Sequence, residues 1–284
     1  MFSENPERTR GVARLGIAVI TYRRRASFEL LVDKLSTCTR VPHELVVADD
    51  GSHDGIVDWC LERGIRIVSG SNRGVAWNKN RGIFPLEALG CDPILIVEDD
   101  VYPNVVAWEG NWISATRRWH HLAYEHPRIA EQRMSGSGTP ADPFINPKAS
   151  AALLSVSAEV LTKVGYFDSR FRGYGHEHAE WTTRIKRAGY GYRDITMPDG
   201  TPNQGLLYMV GGIEDNEDQR WIDREQMRIN RELQRKTQYE PIFRRPWRSP
   251  QERAAFLGEQ AESGFDGEAF ACVLDRRFAD QPPD

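Results

Sequence analysis

Hydrophobic and polar positions along the first hundred residues switch between two periods. Residues 15–21 (LGIAVIT) form a continuous apolar run rich in β-branched side chains, the pattern of a strand covered on both faces. In SFELLVDKLS, Phe28, Leu31, Val32 and Leu35 then recur at three- and four-residue steps, which predicts a helix. The alternation continues with a strand at 44–50 (ELVVADD), a helix at 54–64, a strand at 65–69 (IRIVS), a helix through WNKNRGIFPLEAL and a strand in PILIVED. Strands separated by helices in this way predict βαβ units and an α/β fold with a mostly parallel sheet flanked by helices. Ligands on such sheets bind beyond the carboxyl ends of the strands. Those ends read Thr21-Tyr22, Asp49-Asp50-Gly51-Ser52, Ser69-Gly70-Ser71-Asn72 and Glu98-Asp99-Asp100, and all of them are polar.

From residue 108 to 150 the pattern loosens. It reads as a Trp-rich helix, with His120, His121 and His126 of WHHLAYEH on its surface, and a loop, SGSGTPADPFINP, with the composition of a mobile lid or acceptor-side loop. ASAALLSVSAEVLTKVG restores a strand and a helix, and a glycine-punctuated turn leads into a helix beginning near His176. After 213 a charged helix with a thin apolar stripe (Ile222, Gln226, Ile229, Leu233) marks a change. The expected organisation is an N-terminal extension over 1–13, an α/β domain over 14–212 and a charged helical C-terminal extension over 213–284, ending in a frayed QPPD.

Composition narrows the function. An apolar fraction of 40% with 27% charged residues is that of a soluble globular protein, and 37 basic against 41 acidic side chains disfavour nucleic-acid binding through the overall field. No stretch approaches the roughly 18 apolar residues of a membrane span. MFSENPERTR has no apolar segment behind its basic residues, so the expected location is cytoplasmic. Cys38, Cys60, Cys91 and Cys272 are widely spaced without a CxxC pair and read as reduced core thiols.

Three adjacent carboxylates behind a buried strand call for a cation, because burying one without a counter-charge costs several kcal/mol. If the strand continued, Glu98 and Asp100 would share a face opposite Asp99, a hard-oxygen site for Mg²⁺ or Mn²⁺ with positions open to phosphate oxygens. The competing reading is an acidic surface turn. In VVADDGSHDG, Asp54 suits a helix cap, while Asp49 and Asp50 stand where a carboxylate can accept from a base N–H or ribose hydroxyls. NRGVAWNKNRGI offers Lys79 and Arg81, with a solvated helix face as the alternative. GHEHAEW lacks the second histidine of HExxH, and on a helix His176 and His178 diverge by roughly 200° and cannot share a metal. Glu177 and Glu180 share a face, and a helix start aimed into a cleft suits a carboxylate or imidazole base, with capping as the other task for Glu177. RRPWR, at 244–248, reads as a solvated run.

In order, TYRR, ADDGSHDG, NRGVAWNKNRGI and IVEDDV resemble the successive nucleotide-sugar motifs of GT-A-fold glycosyltransferases of the large family-2 type. GYFDSRFRGYGHEHAEW is similar to the segment in which related galactosyl- and N-acetylgalactosaminyltransferases carry a Gly-rich turn and an acidic pair. The resemblance spans residues 14–195. It implies a GT-A fold and metal-dependent (Mn²⁺ or Mg²⁺) hexosyl transfer from a nucleotide diphosphate sugar, a UDP-sugar above all, to an acceptor hydroxyl with inversion. Carried over by position, Thr21, Tyr22 and Asp49 or Asp50 hold the nucleoside, and Lys79 and Asn80 match the end of the second motif, Lys79 where the family often has a phosphate-contacting arginine. Glu98-Asp99-Asp100 replaces the DxD, with Asp100 as metal ligand and Glu98 or Asp99 assisting. Glu177 matches the first acid of the later pair, but His178 stands where many inverting members have the catalytic aspartate, so either residue can be the base. The acceptor stays open among a glycan, a protein, a lipid-linked glycan and a modified nucleobase, and the C-terminal segment either completes the acceptor site or mediates dimerisation. Two alternatives remain: a non-catalytic nucleotide-sugar-binding module, and a glycoside hydrolase using Glu177 and Glu180.

Overall fold

The computed structural model describes residues 14–216 and 223–280. The N-terminal extension, Ile222 of the expected stripe and the terminal QPPD lie outside the described residues. The expected alternation is present as β1 (Leu15–Thr21), α1 (Arg25–Cys38), β2 (His43–Asp49), α2 (Ile56–Glu62), β3 (Arg66–Ser69), α3 (Val75–Ala88) and β4 (Ile94–Glu98). There follow β5 (Val101–Pro103), α4 (Glu109–Trp119), β6 (His121–Tyr124), β7 (Phe144–Asn146), β8 (Leu153–Val156), α5 (Ala158–Val164) and α6 (Glu177–Arg187). The remainder comprises β9 (Tyr192–Thr196), β10 (Pro202–Met209), β11 (Ile213–Asp215), α7 (Arg224–Thr237), α8 (Pro250–Glu262) and α9 (Glu268–Ala279).

The main sheet has nine strands in the order β3-β2-β1-β4-β8-β6-β10-β7, with β9 also on β10. The first four pair in parallel. β8 is antiparallel to both β4 and β6, which returns β6 and its parallel neighbour β10 to the first direction. The carboxyl ends of β1 to β4, β6 and β10 therefore share one edge. β5 and β11 form a separate two-stranded ribbon at the end of β4.

Two sequence expectations fail between 108 and 150. WHHLAYEH is not one helix: α4 stops at Trp119, His120 turns the chain at φ 67°, and His121–Tyr124 is the buried strand β6. A four-residue apolar run carries no period of its own, so sheet pairing decided it. SGSGTPADPFINP is not a free lid, since it contains β7 and its tip is braced by Trp119 Nε1 donating to Pro140 O at 3.0 Å and Arg193 Nη1 to Asp142 Oδ1 at 2.8 Å.

Helix α3 is buried on every side from Ala76 to Leu86, between the sheet and the C-terminal helices. It can lie that close because Gly82 rests on the sheet, where a Cβ would come within 2.9 Å of the Ala18 methyl. Past residue 213 the chain stays on the same body: Phe243, Trp247, Phe256, Ala271 and Leu274 join one apolar cluster with Ala18, Val46 and Ile96. The charged helix α7 docks through the buried Asn230 and Thr237 and through Leu233 of the expected stripe, which packs against that cluster, whereas Ile229 is 45% exposed. Cys38, Cys60 and Cys91 are buried as expected, whereas Cys272 is exposed. No helix among the described residues is long and apolar enough to cross a membrane.

Candidate active site

The predicted nucleoside residues gather at the ends of β1, β2 and β4. Thr21 Oγ1 donates to Asp99 Oδ2 at 2.8 Å, and Tyr22 follows, its ring covered by the Arg23 guanidinium at 5.0 Å. Asp49 accepts from Ser52 N and from Ser69 Oγ at 2.7 Å, which fastens the β2 turn to β3. Asp50 accepts from Arg73 N at 2.9 Å, Gly74 N at 2.8 Å and Arg81 Nη1 at 2.8 Å. Asp49 thus closes its own turn onto β3, and Asp50 braces the loop between β3 and α3.

Four consecutive polar residues of α3 radiate to separate sets of partners, because a helix buried all round leaves no polar group unsatisfied without penalty. Asn78 Nδ2 donates to Ala48 O at 2.9 Å and Thr21 O at 3.1 Å. Asn80 is bound at both ends of its amide to the Phe167 backbone, at 2.9 and 3.0 Å, so it secures a loop and does not face the cleft as the nucleotide contact expected of it. Arg81 joins Asp50 to Glu259 of α8. Lys79, the expected phosphate contact, is an internal cation: its Nζ lies 2.8 Å from Glu98 Oε1 and 3.6 Å from Glu177 Oε1. Burial disfavours the Lys79 charge, but the two carboxylates outweigh it and raise its pKa.

The acidic triplet does not behave as a continued strand, because β4 ends at Glu98 and the chain turns at 99–100. Glu98 reaches Lys79, while Asp99 is held by Thr21 and by Arg24 Nη1 at 2.9 Å. Burial pushes the Asp99 carboxyl up to about 6 against the pull of Arg24 and Thr21. Asp100 is buried, and its carbonyl accepts from Asn216 N at 2.7 Å beside the β5–β11 ribbon. Among the described residues no three acidic, histidine or cysteine side chains converge to enclose a metal ion. What the donor set fits is a hard divalent ion held by Asp100 and completed by phosphate oxygens and water, the usual manner of Mg²⁺ sites on nucleotides. One oxygen of Glu98, Oε1, is already engaged by the Lys79 ammonium.

Helix α6 begins where the sequence placed it. His176 precedes it at φ 71°, and Glu177 is its first residue. The loop before it crosses the first turn of α3 in contact, with Val75 N donating to Gly173 O at 2.9 Å; a Cβ on Gly74 would sit 2.3 Å from Gly173 N. Glu177 Oε2 accepts from Gly175 N at 2.9 Å, and Oε1 lies between Lys79 and His178 Nδ1, the latter at 3.5 Å. Burial would raise the Glu177 carboxyl, yet His178 and Lys79 hold it down at about 2. Glu180 is bound to Arg184 at 2.7 and 2.9 Å, so the two glutamates are taken up by separate partners.

Several residues that sequence reasoning passed over belong to this edge. His126, expected on a helix surface, follows β6 and pairs through Nε2 with Asp215 Oδ2 at 2.5 Å. Tyr124, His126, Arg128, Glu214 and Asp215 line a cavity of 550 Å³ next to the ribbon that follows Asp100. Tyr174 adjoins both groups: burial and the fields of Glu98 and Glu177 raise its pKa, opposed by Arg128. Asn230 of α7 donates to Arg172 O, Tyr174 O and Gly175 O and so holds the loop that carries Glu177.

No protein-family model and no curated protein matches the sequence. Among solved structures, S. aureus TarS superposes with a TM-score of 0.54 at 13% identity over 87% of this chain and 42% of that one. GalNAc-T7, solved with UDP, GalNAc and Mn²⁺, gives a TM-score of 0.51 at 12% identity over 72% of this chain and 44% of that one. The fold is GT-A. The chain spans less than half the length of those two GT-A chains. Residues 94–103 and 173–180, singled out in the sequence, stand at the carboxyl-end edge of this GT-A sheet.

Proposed function

We propose that this protein transfers a sugar from a nucleotide diphosphate sugar, a UDP-sugar by preference, to an acceptor hydroxyl with inversion. The observation that carries this reading is the convergence, on one edge of a GT-A sheet, of the carboxylates behind β4 with the Glu177–His178 couple. The nucleoside lies against Thr21 and Tyr22, beside Asp49 and Asp50, and its diphosphate is directed toward Asp100. A divalent ion bound on Asp100 supplies neutralisation of the charge on the departing diphosphate.

His178 is the base. A carboxyl held at about 2 makes Glu177 a weak proton acceptor near neutral pH, whereas an imidazole is matched to it. His178 Nδ1 faces Glu177 Oε1 at 3.5 Å, and Nε2 is assigned the role of proton acceptor. It takes the acceptor proton as the hydroxyl oxygen bonds to the anomeric carbon and the bond to the nucleoside diphosphate breaks. Holding both substrates in line removes the entropic part of the barrier. The cavity from Tyr124 to Asp215, polar and adjacent, accommodates the acceptor.

A thermal-shift series with UDP, UDP-sugars and Mn²⁺ tests the reading. Stabilisation is expected only with nucleotide and metal together, and is expected to vanish in Asp100→Ala. His178→Asn is expected to keep the stabilisation and lose transfer, measured as UDP release, by about 100-fold or more. Metal-independent stabilisation that survives in Asp100→Ala would overturn it.

A further inference from the structure

We infer that Lys79 is the positioning residue of this site, clamping Glu98 at the end of β4 to Glu177 at the start of α6 and thereby fixing the pose of His178. The inference deepens the transferase reading, but it is tested without any donor. A lysine on a helix buried on all sides needs compensation, and one carboxylate would provide it. Lys79 has two, from elements on opposite sides of the cleft, at 2.8 and 3.6 Å, with the Phe167 ring 5.2 Å from its Nζ. The second contact falls on Glu177 Oε1, the same oxygen that faces His178 Nδ1. The other oxygen is taken by Gly175 N. Glu177 is therefore held through Oε2 by the Gly175 amide and through Oε1 by the charge of Lys79, and His178 Nδ1 faces that same oxygen at 3.5 Å.

The chain couples charge as well as geometry. Lys79, Glu98 and Glu177 together carry one net negative charge. The groups facing His178 are Glu177 on its own helix, Lys79 from α3 behind that carboxylate, and His121 from β6; Glu98 and Tyr174 flank the same cluster. His121 is neutral in the core, with its pKa lowered to about 4, and does not compete for Glu177. Removing the ammonium leaves imidazolium as the cation nearest Glu177, which favours protonated His178. Removing the Glu98 charge leaves the ammonium to Glu177 alone, which disfavours it.

The full chain, labelled in its histidine rings, is titrated by NMR, with His178 assigned from His178→Gln. Lys79→Met is expected to raise the His178 midpoint by about one pH unit, and Glu98→Gln to lower it by a shift of the same order. In turnover, Lys79→Met is expected to reduce kcat while donor KM holds, the acid limb of the rate profile moving with the NMR midpoint. Glu98→Gln keeps a hydrogen bond to Lys79 and a near-identical shape, so it decides the matter alone if Lys79→Met does not fold. A midpoint that stays put in Glu98→Gln, or shifts in the same direction in both variants, would overturn the inference. Failure of the wild type to turn over any nucleotide sugar would sink the transferase reading and leave this result standing.

Discussion

His121 illustrates how much a single buried group can impose on the whole chain. Its Nδ1 donates to Ser155 O at 2.8 Å and its Nε2 lies 3.3 Å from Thr182 Oγ1, in a site whose burial favours the neutral ring. Burial lowers its pKa to about 4, from an ordinary 6.5. The unfolded chain takes up this proton first as pH falls, so native stability is complete above 6.5 and is lost progressively as pH drops toward 4. Urea unfolding at pH 7.5 and pH 5 should differ by about 2 kcal/mol on account of this residue. In His121→Gln that part of the pH dependence should disappear, whatever the variant's absolute stability. An unchanged pH dependence would mean that the ring is charged in the fold. Sequence reasoning placed His121 on a solvated helix, since nothing local distinguishes HLAY as strand from helix. For Lys79 and Asn80, motif position identifies a residue but not the direction its side chain takes on a fully buried helix.

At the scale of elements, what was legible followed from period. LGIAVIT, ELVVAD, IRIVS and ILIVE became β1 to β4 within a residue or two, because continuous β-branched runs between helical patterns have few other solutions. The acidic strand end and the start of α6 were legible for the same reason, as was the likeness between the motif order and a GT-A cleft. The missing parts are long-range partnerships. Glu259, in the expected C-terminal extension, accepts from Arg81 at 2.9 Å through both oxygens and from Trp77 Nε1 at 2.8 Å. It thus anchors α8 to the helix that carries Lys79, and no local pattern announces a contact across 178 residues. Deleting it leaves the buried Arg81 with Asp50 as its only carboxylate among the described residues. Glu259→Ala should cost about 3 kcal/mol in urea unfolding. The double variant with Arg81→Met should lose less than the sum of the two singles, the sign of a direct coupling. Additive losses would argue that α8 is held by its apolar contacts alone.

Those apolar contacts decide how the whole molecule behaves. Phe84 of α3 stands within ring-contact distance of Tyr166, Trp247, Phe256, Phe265 and Phe270, so α3 is enclosed by the sheet on one side and by aromatic side chains from beyond residue 243 on the other. Fully burying a phenylalanine or leucine side chain is worth about 1.5–3 kcal/mol, so Phe256 and Leu274 together contribute roughly 3–6 kcal/mol, to which the partly buried Phe265 and Phe270 add. That is a large share of the stability of an ordinary domain. A chain ending at residue 249 would also expose Trp77 and strand the Arg81 charge beside them. It should show no cooperative thermal transition, whereas Phe256→Ala in the full chain should unfold cooperatively with about 3–5 kcal/mol less stability. A truncated protein that melted cooperatively within a few degrees of the full chain would mean that α8 and α9 form a separate layer. The cleft sits on α3 through Asn78, Lys79 and Arg81, so loss of nucleotide-dependent stabilisation should accompany loss of the helices even though neither touches the proposed metal carboxylate.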